Sequence, residues 1–124
     1  VGLFAAAGGL LRLPTRVGYA AAMQMALTGE PMLAEEALAR GLVVQVTEAG
    51  AAVDAATALA EQIAENAPLA LAASKELINV AVDATAAEFW ERQNALMGSV
   101  MGSNDAREGA VAFAEKRTPN WTGT

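Results

Sequence analysis

Cysteine and histidine are both absent from this chain of 124 residues. Without them the chain can form no disulfide bond, thiol nucleophile, imidazole base or zinc site of the usual kind. Basic residues are also few, since eight Lys and Arg stand against fourteen Asp and Glu, and they form no run. Nucleic-acid binding requires a basic patch, so the charge pattern predicts no nucleic-acid partner. The absence of Cys and His predicts no metal centre.

Long apolar runs are missing as well. No uncharged apolar segment is long enough to cross a bilayer, and no basic start is followed by the apolar stretch of a secretory leader. We therefore predict a cytoplasmic protein without membrane contact. The chain is instead rich in small apolar residues, with 54% hydrophobic content, much of it alanine. Alanine buries little area, so a stable core needs larger anchors and is helped by burial against a second chain or a second half.

Residues 26–46 contain the clearest helix-end and strand signals of the chain. Gly29 can end a helix in the left-handed conformation, and Pro31 prevents its continuation. A short helix then ends at Gly41, and the β-branched run at residues 42–46 predicts a strand. Leu33 opens the short helix without a side-chain oxygen to cap its free amides.

The remaining elements are predicted as helices. Pro14 is expected to break the helix that follows Gly9, and a capping box formed by Thr85 and Glu88 predicts a helix start near residue 86. Ala112 and Phe113 are expected to pack inward, and the indole of Trp121 requires a surface to rest against. The predicted ranges are 15 or 16 to about 27, 49–66, 69–82, 86–101 and 106–117.

Three motifs lie in a consistent order along the chain: AGGLLRLP at residues 7–14, TGEPMLAEEALARGLV at 28–43, and DAREG at 105–109 followed by AFAEKR at 112–117. Together they resemble the enoyl-CoA hydratase/isomerase (crotonase) superfamily, over the whole chain but only over the C-terminal half of that family's usual length. The resemblance implies an α/β crotonase-type fold. This chain is then its mostly helical C-terminal half, with trimerisation helices and one or two short strands.

The same resemblance implies a division of the chain and a set of partners. Residues 1–47 correspond to the end of the crotonase core, with the active-site loop, and residues 48–124 to a helical oligomerisation and lid region. The implied partners are an acyl-CoA substrate, the N-terminal half of the same protein, and further copies in a trimer or a dimer of trimers. No cofactor is implied, because the acyl-CoA thioester is the substrate. We interpret the chain as a fragment or a nicked product.

The implied reaction is reversible syn addition of water to a 2-enoyl-CoA thioester. Two backbone amides stabilise the enolate and two glutamates manage the water, and the resemblance assigns these groups to residues before Val1. No catalytic side chain is therefore expected in this chain, and alone it is predicted to be inactive. Two alternatives remain open: a Δ3-Δ2 enoyl-CoA isomerase, and a non-catalytic helical oligomerisation module.

The substrate-binding residues implied by the resemblance are Ala6, Ala7 and Lys116. In that family the matching loop passes beside the thioester, so the resemblance implies that the Ala6 amide helps to hold the catalytic water. On residue pattern alone, a Gly-Gly pair before a helix is more often ordinary loop chemistry. Ala6 also lacks the carboxylate that dienoyl-CoA isomerases of the superfamily carry there. Ala5 replaces a proline that is common in hydratases.

Charged residues have two interpretations each. Lys116 matches the lysine that reaches the phosphates of CoA, but its position at a helix end equally indicates interaction with the helix dipole. Arg12 could bind an anion, although pairing or carbonyl capping within its own fold is favoured. Glu88 and Glu91 could form an acid and base pair, but we favour structural roles for both.

Overall fold

The computed structural model describes residues 2–124, which form seven α-helices and no β-strand. These residues divide between two compact units, Val1–Ala55 and Ala56–Thr124. The predicted boundary at residue 47 remains a prediction, because it concerned function rather than compactness. The helices are α1 (Gly9–Val17), α2 (Tyr19–Thr28), α3 (Ala34–Ala39), α4 (Ala52–Ala64), α5 (Pro68–Val80), α6 (Ala86–Met101) and α7 (Asn104–Glu115).

The first unit is built on the packing of α1 against α2. Its buried core consists of Val17, Ala21 and Ala22, with Leu13 and Met32 packed against them. Two of these three core residues are alanines, so the helices approach closely while burying little apolar area. The larger anchors expected for a stable core are represented in this buried cluster by Val17 alone.

Pro14 lies inside α1 and does not break it, so the predicted break is wrong. A proline has no amide hydrogen, so at this position residue 14 cannot donate to the carbonyl of Leu10 four residues earlier. The helix loses one internal hydrogen bond and ends soon afterwards at Val17. Gly18, with φ 84°, makes the actual boundary, and its amide donates to the Pro14 carbonyl at 3.0 Å.

The strand predicted for residues 42–46 is also wrong, since this segment is irregular. The amide of Leu42 donates back to the Ala37 carbonyl at 2.8 Å, and Val44 is 82% exposed. A strand requires a neighbouring strand to receive its hydrogen bonds, and the residues that the structure describes supply none. The other features of this region are confirmed: Gly41 follows α3 with φ 72°, and Leu33 precedes it without a side-chain cap.

In the second unit α5 packs against α6, and an ion pair between Arg92 and Glu76 joins the two helices. The capping box is confirmed. The Thr85 hydroxyl accepts from the amide of Glu88, and the Glu88 carboxylate accepts from the amide of Thr85 at 2.8 Å. Helix α7 begins in the same manner, with the Ser103 hydroxyl accepting from the amide of residue 106 at 2.9 Å.

The segment after α7 folds back along the second unit. The carboxylate of Asp105, only 2% exposed, accepts from the amides of Thr122 and Gly123 at 2.7 and 2.9 Å. Trp121 donates from Nε1 to the carbonyl of Glu65 at 2.7 Å. The predicted need of this indole for a supporting surface is therefore confirmed.

Apolar exposure is high on α6 and α7. Ala112 is 1% exposed as predicted, but Phe113 is 87% exposed, so its predicted inward packing is wrong. Neighbouring residues of a helix are separated by about 100° around its axis, and the inward position of Ala112 turns Phe113 away. On α6, Trp90, Met97 and Met101 are 56%, 53% and 73% exposed.

None of the helices in residues 2–124 combines the length and the apolar character needed to cross a membrane.

Candidate functional site

The loop before α1 borders a cleft in the first unit with a volume of about 370 Å³. Ala5 and Gly9 lie on the loop side, and Met25 and Leu42 contribute apolar wall from α2 and from the segment after α3. Arg16 is among the few charged residues that line it. A mostly apolar cleft with a few polar groups is typical of a small-molecule site.

An arginine holds the loop in place. Arg12 donates from Nη2 to the Ala7 carbonyl at 2.9 Å, across the turn that leads into α1. Gly8 at this turn has φ 82°, and a Cβ there would lie 2.6 Å from Arg12 Nη1. Glycine is favoured here by its left-handed backbone, and a side chain would also force the Arg12 guanidinium to move. The favoured interpretation of Arg12, that it caps a carbonyl of its own fold, is confirmed.

The structure places Ala6 and Ala7 in an exposed turn directly before α1. Among residues 2–124 the Ala6 amide donates to no group, whereas the Ala7 carbonyl is occupied by Arg12. An exposed, uncommitted amide in an anchored loop can donate to a bound molecule. The roles assigned to Ala6 and Ala7 by resemblance remain predictions.

The second candidate region is the end of α7, in the other unit. Arg117 forms a two-pronged ion pair with Glu108, with Nη1 to Oε1 at 2.6 Å and Nη2 to Oε2 at 2.9 Å. Glu108 Oε1 also accepts from the amide of Asn120 at 2.7 Å. The Arg117 guanidinium, followed by the Asn120 amide, lowers the pKa of Glu108 to about 2. This carboxylate stays ionised at every physiological pH.

Lys116 lies at the centre of this turn as the C-cap of α7, with φ 55° and ψ 39°. Its position at a helix end was predicted, but the left-handed backbone and the Glu108–Arg117 pair were not. Residues nine apart are not neighbours on a helix, so only the chain reversal at Lys116 brings that pair together. Glycine usually marks such a reversal in a sequence, and a lysine gives no comparable signal.

Glu88, one of the two glutamates with a possible acid–base role, has a structural contact in this fold. Glu88 is committed to the capping box, where hydrogen bonds from the Thr85 hydroxyl and amide lower its pKa. Its structural role is confirmed.

Comparison with known proteins places these features in a family. A sequence model of the family described as Enoyl-CoA hydratase/isomerase matches residues 1–124. The solved enoyl-CoA hydratase of Mycobacterium tuberculosis H37Rv is 50% identical, with a TM-score of 0.93 over 99% of this chain and 49% of that one. An enoyl-CoA hydratase of Mycobacterium marinum is 52% identical, with the same TM-score and coverage. The carnitinyl-CoA dehydratase of Proteus mirabilis is 42% identical over 99% of this chain and 49% of its own length.

The seven helices and the loop before α1 are thus the mostly helical C-terminal half of a crotonase-type fold. The chain belongs to the enoyl-CoA hydratase/isomerase family. It spans about half the length of the curated relatives it matches.

Proposed function

We propose that this chain is the C-terminal half of an enzyme that adds water reversibly to a 2-enoyl-CoA thioester. Its similarity to enoyl-CoA hydratases supports this reaction, and so does its similarity to carnitinyl-CoA dehydratases, whose name describes loss of water from a CoA thioester. In the forward direction the hydroxyl of water adds to C3 and a proton is delivered to C2. The glutamates and the oxyanion amides for these steps are assigned to the N-terminal half.

The observation that carries the proposal within this chain is the uncommitted amide of Ala6. Arg12 anchors the loop through the Ala7 carbonyl, and the turn is exposed next to a mostly apolar cleft. An amide held in position before substrate arrives can donate to the attacking water without reorganisation. We assign this role to Ala6, with Ala7 as its neighbour beside the thioester.

Lys116 is proposed to bind a phosphate of the CoA nucleotide. Within the described residues its ammonium has no hydrogen bond or ion pair, whereas the neighbouring Arg117 is paired with two carboxylates. A lysine binds phosphate as a compact charge. Because the phosphate does not change in the reaction, this contact favours substrate and transition state equally. The runner-up activity is a Δ3-Δ2 enoyl-CoA isomerase, since the family description names both reactions.

An assembly role accompanies the catalytic one. Trp90, Met97 and Met101 expose large apolar surfaces on α6, and such a face is typical of a subunit interface. We propose that α6 contributes to a homotrimer, or to a dimer of trimers, in a cytoplasmic enzyme. The same exposed face of α6 also supports the second candidate function, a non-catalytic oligomerisation module.

The test uses a chimaera in which the N-terminal half of the Mycobacterium tuberculosis relative is fused to this chain. We expect hydration of crotonyl-CoA by the chimaera and none by residues 1–124 alone. Ala6→Pro removes the amide hydrogen and should lower kcat by about 10²-fold, the size of effect seen when one preorganised donor is lost. Ala5→Pro is the matched control, because it introduces the same ring one residue earlier and keeps the Ala6 amide.

Each outcome has a distinct meaning. Equal losses in the two proline variants would reject the role of the Ala6 amide, because the loop rather than the donor would then be responsible. Isomerisation of a 3-enoyl-CoA without hydration would favour the isomerase. A folded chimaera that lacks both activities would favour the oligomerisation module.

A further inference from the structure

The end of α7 contains a backbone conformation that its sequence does not favour. Among residues 2–124, Lys116 alone has a positive φ without being glycine. The Arg117 amide donates to the Ala112 carbonyl at 3.0 Å and the Lys116 amide to the Phe113 carbonyl at 3.3 Å. This is a Schellman motif, in which the left-handed residue is normally glycine because a Cβ is strained there.

The same motif ends α3 with the expected residue. There the Leu42 amide donates to the Ala37 carbonyl at 2.8 Å and the Gly41 amide to the Leu38 carbonyl at 3.0 Å, and Gly41 has φ 72°. The chain thus ends one helix with glycine and ends α7, by the same hydrogen bonds, with lysine. Since glycine satisfies the backbone at α3, the lysine at α7 points to a use for its side chain.

A carboxylate clamp holds the strained turn. Glu108, on α7, accepts from both Nη1 and Nη2 of Arg117 after the turn, and from the amide of Asn120 further along. The clamp therefore spans the turn and grips the chain at two points beyond Lys116. Glu115 also pairs across the reversal, with Arg117 Nε at 2.7 Å, but it makes a single contact and has neither the second prong nor the Asn120 bond of Glu108.

The clamp also leaves Lys116 as a cation without a partner among residues 2–124. Glu108 and Glu115, the carboxylates nearest to it along this segment, are both engaged by Arg117. The planar guanidinium suits a two-pronged pair with a carboxylate, whereas the lysine ammonium suits a single phosphate contact. Arg117 is therefore committed to holding the turn, whereas the adjacent Lys116 ammonium is available to a ligand.

We propose that Glu108 and Arg117 are positioning residues whose ion pair holds the left-handed turn that presents the Lys116 ammonium to a phosphate of the CoA nucleotide. This inference rests on the proposed function, because it takes the acyl-CoA substrate from there. It adds that the affinity for the nucleotide depends on a residue pair that does not itself touch the substrate.

The experiment is a double-mutant cycle in the chimaera with Lys116→Ala and Glu108→Gln. KM and kcat are measured for crotonyl-CoA and for crotonyl-pantetheine, which lacks the nucleotide. Lys116→Ala should raise KM for crotonyl-CoA about tenfold, as expected for one charge-assisted hydrogen bond, and leave kcat unchanged. Glu108→Gln should raise the same KM severalfold when Lys116 is present and not at all in the Lys116→Ala background.

Controls separate positioning from general destabilisation. Glu115→Gln removes a charge from the same turn without opening the clamp, so KM should remain unchanged. Arg117→Lys keeps the charge but loses the two-pronged geometry, so it should raise KM for crotonyl-CoA as Glu108→Gln does. It replaces Glu108→Gln in the cycle if the glutamine variant does not fold. Neither Glu108→Gln nor Arg117→Lys should change KM for crotonyl-pantetheine.

The failure of each idea gives a different result. If Lys116→Ala leaves KM for crotonyl-CoA unchanged, the phosphate contact is wrong and the positioning role falls with it. A second result would overturn positioning while the phosphate contact stands. In that case Lys116→Ala raises KM for crotonyl-CoA, but Glu108→Gln raises this KM equally with and without Lys116, or raises KM for crotonyl-pantetheine by the same factor.

Discussion

Replacement of Lys116 with glycine is expected to make the protein more stable than replacement with alanine, although both remove the same ammonium. A left-handed conformation costs an L-residue roughly 1.5 kcal/mol. Glycine avoids that cost but loses about 0.7 kcal/mol more backbone entropy on folding. Both variants lose the same interaction between the ammonium and the end of α7, which therefore cancels in the comparison.

The remaining difference is about 0.8 kcal/mol in favour of Lys116→Gly, or about 2–3 °C in Tm for a protein of the size of the chimaera. Urea unfolding of the two variants measures it directly, with the dependence on urea concentration unchanged between them. The two should nevertheless show the same increase in KM for crotonyl-CoA, because neither carries the ammonium.

Two results would refute this reasoning. Equal stability of the variants would mean that the left-handed turn at Lys116 is not strained or not populated. A smaller KM for the glycine variant would mean that the turn itself, rather than the ammonium, limits substrate binding. The expected result is a glycine variant that is more stable than the alanine variant but binds crotonyl-CoA no more tightly.

Three further predictions concern the second unit. The pKa of Glu108 is lowered to about 2 in the folded protein by the Arg117 guanidinium and the Asn120 amide, so its stabilising effect is complete above the unfolded-state pKa of about 4.3 and is lost as the pH falls towards 2. The free energy of unfolding in urea should therefore fall less steeply between these pH values for Glu108→Gln than for the unsubstituted protein. An equal dependence on pH would contradict the assignment. Thr85→Ala should lower the free energy of unfolding by about 1 kcal/mol, whereas Thr85→Ser should retain most of it. Trp90→Glu places an unpaired charge in an apolar contact, so it should dissociate the assembled chimaera in sedimentation velocity. Ser99→Glu, on the opposite side of α6, should leave the assembly intact. An intact assembly in Trp90→Glu would show that this face of α6 is not in the interface.

Local chemistry made several elements predictable. Gly29 and Gly41 ended their helices because only glycine adopts a left-handed conformation without strain, and each carries φ 72°. The capping box was predictable because its two partners are three residues apart and need no tertiary contact. The role of Arg12 followed from the carbonyls available close to it in the chain.

The errors arose where a residue depends on neighbours that are distant in sequence. The run at residues 42–46 has strand composition but no strand beside it within the described part of the chain. The size and apolar character of Phe113 predict an inward position, yet the rotation of α7 is set by Ala112, which is 1% exposed. Pro14 predicts a helix break, but a single lost hydrogen bond near a helix end is tolerated.

The sequence by itself determined the family, most helix ends and the absence of thiol and imidazole chemistry, because motifs, caps and composition act over a few residues. Tertiary structure alone decided that Lys116 takes a left-handed backbone and that Glu108, Arg117 and Asn120 meet around it. A chain reversal brings together residues whose spacing matches no local pattern, and its hydrogen bonds repay the strain of a lysine where glycine is expected. The uncommitted Ala6 amide is of the same kind, since only the path of the folded loop determines which backbone donors remain unpaired.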